Sequence, residues 1–321
     1  MTAPLSPFPG DAAVEARFAH LRVTVGDLFL ARLAGLRDAR GTSPDAGDRG
    51  LVLRAEVDDL VGEFDLEGPR EAMLLALPAA AALARPPISG YVVGAVGLAA
   101  GTGDLVLGGN LEFPGTTLAT TIHAEGVVTL RSLALGVAIE TLALTQARPC
   151  AHCRQVLAEC AWADALRLID LAGRDLAFDE LYPWPFAPGD LGRPGATPGA
   201  VEWPDLAVAA DARVPGRVAA LLATTGSRAH VPYSGTPAAI VLAVAGGRLV
   251  AGSPLESVAY NPGLGPLQAA LAELPARGAA WDDITGAWLA TGTGPVDHAT
   301  ATSVLLAAVA PHIPLHVVGW R

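Results

Sequence analysis

The sequence predicts an α/β protein: two copies of a sheet with parallel strand pairs and helices on its faces, preceded by a helical segment. Three observations predict it. Up to Pro87 apolar residues recur at helical spacing, and beyond it the period shortens toward two. From Tyr91 the elements read strand, strand, helix, strand, helix, strand, and strands that return through helices pair in parallel. From Ala239 the same order is read again, which an internal duplication explains.

Residues 1–87 form the N-terminal helical segment. Val14 to Leu36 carries apolar residues at mixed helical spacing, Gly41 to Gly50 breaks it with Gly, Pro, Ser and Asp, and Asp58 to Ala84 resumes as short packed helices. His20 lies here with no Cys or second His nearby and is read as exposed or locally hydrogen-bonded. Residues 88–190 form a first α/β domain. Tyr91 to Leu98 and Leu105 to Gly109 flank Gly101-Thr102-Gly103-Asp104, a hairpin turn. His123 opens a helix through Ala138, Ile139 to Thr145 is a buried strand, a helix begins near Pro149, and Leu166 to Leu171 is a further strand. Residues 191–228 sit in a Pro-, Gly- and Ala-rich stretch and read as a linker. Residues 229–321 repeat the plan: a hairpin of Ala239 to Val244 and Arg248 to Ala251, a helix from Leu264 to Leu274, a strand from Ile284 to Ala290, a helix from Asp297 to Val309 and a strand from Ile313 to Val318.

Composition narrows the function. With 321 residues the chain is long enough for two cores. A net charge of −11 opposes a phosphate-tracking surface. All 21 basic residues other than histidine are Arg; without Lys there is no Walker-type phosphate loop, Schiff base or Ser-Lys pair. Met1-Thr2-Ala3-Pro4-Leu5 lacks the basic and apolar regions of a secretory signal, and the apolar run Met73 to Ala84 is short and broken by Pro78. Cys150 and Cys153 are claimed below, so Cys160 has no disulfide partner, and a reducing cytoplasm is the expected location.

His123-Ala124-Glu125 followed by Pro149-Cys150-Ala151-His152-Cys153 resembles the zinc-deaminase signature. Physical chemistry supports that likeness. A catalytic zinc takes three protein ligands and keeps a fourth position open. His123, Cys150 and Cys153 supply three, and two cysteines three apart on a helix starting near Pro149 reach one ion. Proline suits a first helical position, and the free N–H groups there favour thiolates. Glu125 reads as the acid/base rather than a fourth ligand. His152, between the cysteines, points away from them and reads as a neighbour of the site or helix surface; Cys160, seven residues past Cys153, reads as core on the same helix.

The second copy lacks this chemistry. Glu256 matches Glu112 by position, Pro266-Leu267-Gln268 falls about where His123-Ala124-Glu125 should, and no cysteine follows Cys160. His312 and His316 have no third ligand in view, so a polar strand face or interface is preferred to a metal pair.

From about Glu56 onward the chain resembles the two-domain, dimeric cytidine deaminases. The resemblance rests on Pro87-Ile88-Ser89, Val93-Gly94-Ala95, Gly109 to Phe113, His123 to Glu125, Pro149 to Gln155 and the degenerate Asn261-Pro262 through Leu271. It implies a three-layer αβα mixed sheet, duplicated, whose second copy is non-catalytic, with one Zn2+ per subunit. It implies hydrolysis of cytidine and 2′-deoxycytidine to uridine and 2′-deoxyuridine in pyrimidine salvage: zinc-activated water attacks C4 while Glu125 shuttles protons. It also implies that Asn110 and Glu112 bond the ribose 3′-hydroxyl, that Tyr91 packs on the pyrimidine where the family usually has Phe, and that the backbone near Ala124 helps hold the ring. Phe186 resembles an aromatic that reaches the partner subunit's site in a homodimer. Two rivals stand beside this reading. Deamination of another nucleoside or of a polymer base is opposed, for polymers, by the acidic chain, and a non-catalytic zinc nucleoside-binding protein by Glu125 and the three-ligand set.

Overall fold

The computed structural model describes residues 7–39, 48–145, 149–209 and 213–321. Met1 to Leu5 and most of the expected break at Gly41 to Gly50 lie outside the described residues.

The N-terminal segment begins with α1 (Ala12–Thr24), capped by the Asp11 carboxylate, and α2 (Gly26–Asp38), with Val25 between them. A two-residue strand absent from the sequence reading, β1 (Leu51–Val52), precedes α3 (Arg54–Glu63) and α4 (Pro69–Ala81). Pro69 starts α4, where its missing N–H costs nothing, and Pro78 falls near the end.

The first sheet follows. Its elements are β2 (Gly94–Ala99), β3 (Leu105–Gly109), α5 (Ala124–Leu135), β4 (Ile139–Leu144), α6 (Ala151–Ala158), β5 (Arg167–Asp170), β6 (Asp175–Ala177) and the short α7 (Phe178–Leu181). Strand order is β1-β3-β2-β4-β5-β6, with β4 and β5 parallel and the other pairs antiparallel. Tyr91 to Val93 stays outside β2, because the Asn110 amide engages the Val93 N–H and the Tyr91 carbonyl. Cys160 also lies beyond the helix expected to carry it, since α6 ends at Ala158; it remains buried core.

Helices cover both faces of this sheet. Leu77 and Ala81 of α4 lie over Gly94, while Val127 and Val128 of α5 lie over Gly97 and Gly108 on the other face. A Cβ on Gly108 would stand 3.1 Å from the Ala124 carbonyl oxygen and 3.0 Å from the Val128 nitrogen. Glycine therefore lets the first turn of α5 sit directly on the sheet.

The second half has α8 (Gly216–Gly226), β7 (Ala238–Val244), β8 (Arg248–Gly252), α9 (Pro266–Glu273), β9 (Ile284–Thr291), α10 (His298–Val309) and β10 (Leu315–Gly319), in strand order β10-β9-β7-β8. Residues 216–226, read from composition as linker, are α8, which buries Val218 and Leu222 against Ala239 and Val241. The duplication is visible in the registers. Ala95 faces Gly108 as Ile240 faces Gly252, each hairpin's partner strand shifts register after Leu98 or Ala243, and the bridge Leu111↔Ile122 recurs as Leu255↔Leu264. These registers place Gly265-Pro266-Leu267, not Pro266-Leu267-Gln268, opposite His123-Ala124-Glu125, a correction of one residue.

The halves share a core. Leu111, Phe113, Ile122, Val127 and Leu130 join Leu255, Leu264, Leu267 and Leu271 in one buried cluster. Two polar clusters cross the same boundary. Arg131 of α5, fully buried, donates to Glu273 of α9 (2.8 Å) and to Asp48 (3.0 and 3.1 Å). His230 stands between Glu159 (2.8 Å) and Glu202 (2.9 Å), and Glu159 also accepts from the Tyr233 hydroxyl (2.8 Å) and the Val258 N–H (2.7 Å).

Burial alone would lower the His230 pKa, but the two carboxylates outweigh it and lift the imidazole to about 9 from 6.5. A raised folded pKa adds stability that is complete below the unfolded value and is lost as pH rises through the folded one, a term of about 3 kcal/mol. The melting temperature should therefore fall by several degrees between pH 6.5 and 9.5, and Glu202→Gln should shrink that fall. Equal falls in both proteins would remove His230 as the cause.

Candidate active site

Two helix N-termini meet where the motifs predicted. His123 is the N-cap of α5 and Cys150 the N-cap of α6. The helix thus starts at Ala151, and Pro149 precedes the cap instead of occupying the first helical position. Cys150 Sγ accepts the Cys153 N–H at 3.4 Å, a sulfur filling the role that a capping oxygen fills elsewhere. Asp297 does the same with Thr300 at the start of α10, so the cap geometry survives in the second half without the sulfur.

His123 Nδ1 lies 3.6 Å from Cys150 Sγ and 3.3 Å from Cys153 Sγ, and the two sulfurs are 3.6 Å apart. A tetrahedral zinc with Zn–N near 2.0 Å and Zn–S near 2.3 Å sets ligand separations of about 3.5–3.8 Å, so this triangle fits zinc. Hydrogen bonds from Cys153 and then His123 pull the Cys150 thiol down to about 3, which makes it a thiolate. The adjoining Cys150 sulfur and burial push Cys153 up. Among the described residues, no other group of three His, Cys, Asp or Glu side chains could hold a metal, and His312 and His316 form none. His316 instead stacks on Trp288.

A cavity of about 810 Å³ opens beside the triangle, and Tyr91, Asn110, Glu112, His123, Glu125 and Cys150 all line it. Glu125 is 6% exposed, and burial holds its carboxyl above the usual range. Ala124, wholly buried, starts α5, so its N–H is one of the first-turn donors without an intrahelical acceptor. Asn110 accepts from Val93 N (2.9 Å) and donates to the Tyr91 carbonyl (2.9 Å). Glu112 accepts from Ile88 N and Ser89 N, both at 2.8 Å, and from the Ser89 hydroxyl. Burial would raise the Glu112 pKa, but the bonds from Ser89 and Ile88 hold it low. One amide N–H of Asn110 and one lone-pair site of Glu112 remain, the donor and acceptor that a single hydroxyl requires.

Phe186 lines neither this cavity nor the smaller one behind His123 and Cys153; the residue is 41% exposed and its carbonyl accepts from Gln155 (2.6 Å). His152 is exposed on α6 beside the smaller cavity, outside the ligand triangle. The sequence reading missed Asp170 and Arg174, which line the larger cavity as an ion pair at 2.6 Å. Nothing in their spacing marks them, because the end of β5 and the turn after it reach the site only through the sheet.

The family described as "Cytidine and deoxycytidylate deaminase zinc-binding region" matches the chain twice, over residues 67–166 and 205–303. A cytidine deaminase of Vibrio parahaemolyticus is 33% identical over 254 residues, 78% of this chain and 83% of that one. One from Shewanella amazonensis is 34% identical over 242 residues, 75% and 79% of the two chains. The chain belongs to the cytidine deaminase family. It is accordingly a zinc-dependent hydrolase, and the His123, Cys150 and Cys153 triangle is the candidate site for that metal. A solved cytidine deaminase of Mycobacterium tuberculosis aligns over 37% of this chain and 98% of its own, with 27% identity and a TM-score of 0.34.

Replacing Cys153 by Ala should lower bound zinc about tenfold or more by metal analysis, whereas His152→Ala should leave it unchanged. Zinc retained without Cys153, or lost without His152, would require a different ligand set.

Proposed function

We propose that the chain hydrolyses cytidine and 2′-deoxycytidine to uridine and 2′-deoxyuridine with release of ammonia, a step of pyrimidine salvage. The observation that carries this reading is one cavity lined by His123 and Cys150 of the three-ligand triangle, by the buried Glu125 carboxyl, and by the Asn110 and Glu112 pair.

Zinc, when bound, supplies the Lewis acidity that makes water nucleophilic near neutral pH. Glu125 takes the proton from the attacking water, delivers it to N3 of the ring as C4 is attacked, and passes a proton to the departing amine. Burial keeps other water from competing with the carboxyl. Asn110 and Glu112 use their remaining donor and acceptor on the ribose 3′-hydroxyl, and a substrate lacking it would leave both buried groups unpaired. Tyr91, a half-exposed residue that lines the cavity, lies against the pyrimidine, and the α5 N-terminus at Ala124 helps hold the ring.

The proposal extends to assembly. Residues 88–190 form the catalytic domain and 229–321 a non-catalytic copy, to which α8 is added on structural grounds. The assembly is a homodimer, with one zinc per subunit, in which Phe186 reaches the partner's cavity; its exposure outside its own cavity supports that role. A cytoplasmic location suits the free Cys150 and Cys153, which zinc needs reduced.

Loss of cytidine absorbance tests the reading, with 2′-deoxycytidine, adenosine and a cytosine-containing oligonucleotide run in parallel. Both pyrimidine nucleosides should react, the other two should not, and Glu125→Gln should lower kcat about a thousandfold or more with zinc retained. No reaction from zinc-loaded protein, or an active Glu125→Gln enzyme, would overturn it.

A further inference from the structure

The shared registers pair positions across the two halves: Leu105 with Leu249, Val106 with Val250, Leu107 with Ala251, Arg131 with Glu273, and Ala134 with Ala276. In the first half, residues 48–52 cover the outer edge of β3. Leu51 and Val52 pair with Val106 and Leu105, and the Leu107 N–H donates to the Gly50 carbonyl at 2.7 Å. The Arg49 N–H donates to the Ala276 carbonyl at 2.6 Å, and Asp48 receives Arg131. Gly50 is wedged so closely that a Cβ there would stand 2.7 Å from Ala276 Cβ and 2.9 Å from Arg131 Cζ.

Among the described residues the second half has no such segment. Its sheet ends at β8, and among the described residues no strand pairs with the outer edge of β8. The equivalent space is a cavity of about 580 Å³ lined by Leu249, Val250, Ala251, Ala134 and Glu273, the counterparts of the residues that 48–52 touches, with Arg228, Arg248, Arg277 and Glu202 also on its wall. The Glu273 side chain is 8% exposed; Oε2 meets Arg131, with Arg277 at 3.6 Å, while Oε1 has no partner. A buried acceptor left unpaired is costly, and an unpaired strand edge beside it is a template for another strand.

We propose that this cavity receives an extended peptide segment of a partner protein. The segment adds as a strand along β8, as residues 48–52 add to β3, and sets a Lys or Arg over Glu273. The charge is the reverse of Asp48 because Glu273 stands where Arg131 stands in the first half. Main-chain bonds to Leu249 and Ala251 supply the docking, and the cation supplies selectivity. The site is separate from the zinc cavity and does not depend on which substrate that cavity takes.

The probe is the pentapeptide Lys-Arg-Gly-Leu-Val with blocked ends, which is residues 48–52 with the acid reversed, compared with Asp-Arg-Gly-Leu-Val on the full chain. At ten times its Kd the basic peptide should slow hydrogen exchange at Ala251 about tenfold. By fluorescence anisotropy the acidic peptide should bind about tenfold more weakly or worse. Ala251→Pro removes the outward N–H of an edge strand, which proline tolerates, and should abolish binding while zinc content and catalytic rate stay unchanged. Equal binding of both peptides, unaltered binding to Ala251→Pro, or no peptide-dependent protection would overturn the proposal. So would edge amides already protected in the free protein and exposed on dilution, which would give the space to a second copy of the chain.

Discussion

Arg131 is the point on which the two halves turn. It and Glu273 occupy matching positions on α5 and α9, so the helices cross with one cation facing one anion, both shut away from water with Asp48. A buried ion pair adds little net stability over an apolar contact, but breaking one leaves an unpaired buried charge and costs about 3–5 kcal/mol. Its effect is therefore selective: a half carrying Arg fits a half carrying Glu, and neither fits its own kind. The surrounding apolar cluster from Leu111 to Leu271 supplies the adhesion that this pair directs. Because His123 caps α5 and Glu125 lies in its first turn, the pose of that helix is set partly by a half whose described residues form no metal-ligand group.

Comparison of the halves separates what the fold needs from what the chemistry needs. Glu256 accepts from Tyr233 N and Ser234 N, both at 3.0 Å, as Glu112 accepts from Ile88 N and Ser89 N. Holding that loop is thus a duty of the fold, independent of zinc. The counterpart of Asn110 is Pro254, which has no side-chain amide, so the amide is not required by the architecture. Likewise the caps of α6 and α10 are alike, yet only α6 uses sulfur.

The zinc triangle was legible in the sequence because few residue types bind zinc and their spacing follows helix geometry; only the helix start moved, from Pro149 to Ala151. Most strands and helices followed from periodicity. Arg131 was hidden in an apolar helix, since its partners lie 83 and 142 residues away and no local pattern connects them. Helix α8 was obscured by an Ala- and Gly-rich sequence resembling the loops before it. Gly265 was misplaced by one residue because the path from the hairpin to the helix is two residues shorter in the second half, which only the strand register reveals.

His123, Cys150 and Cys153 offer zinc three ligands beside the Glu125 carboxyl, and a three-ligand set leaves a fourth position for water. X-ray absorption at the zinc edge measures this directly. Two sulfurs at about 2.3 Å and two lighter atoms, nitrogen or oxygen, at about 2.0–2.1 Å are expected, one of the lighter atoms being displaced when a substrate analogue binds. A shell with three sulfurs, or one that no ligand alters, would mean a closed structural site and would contradict it.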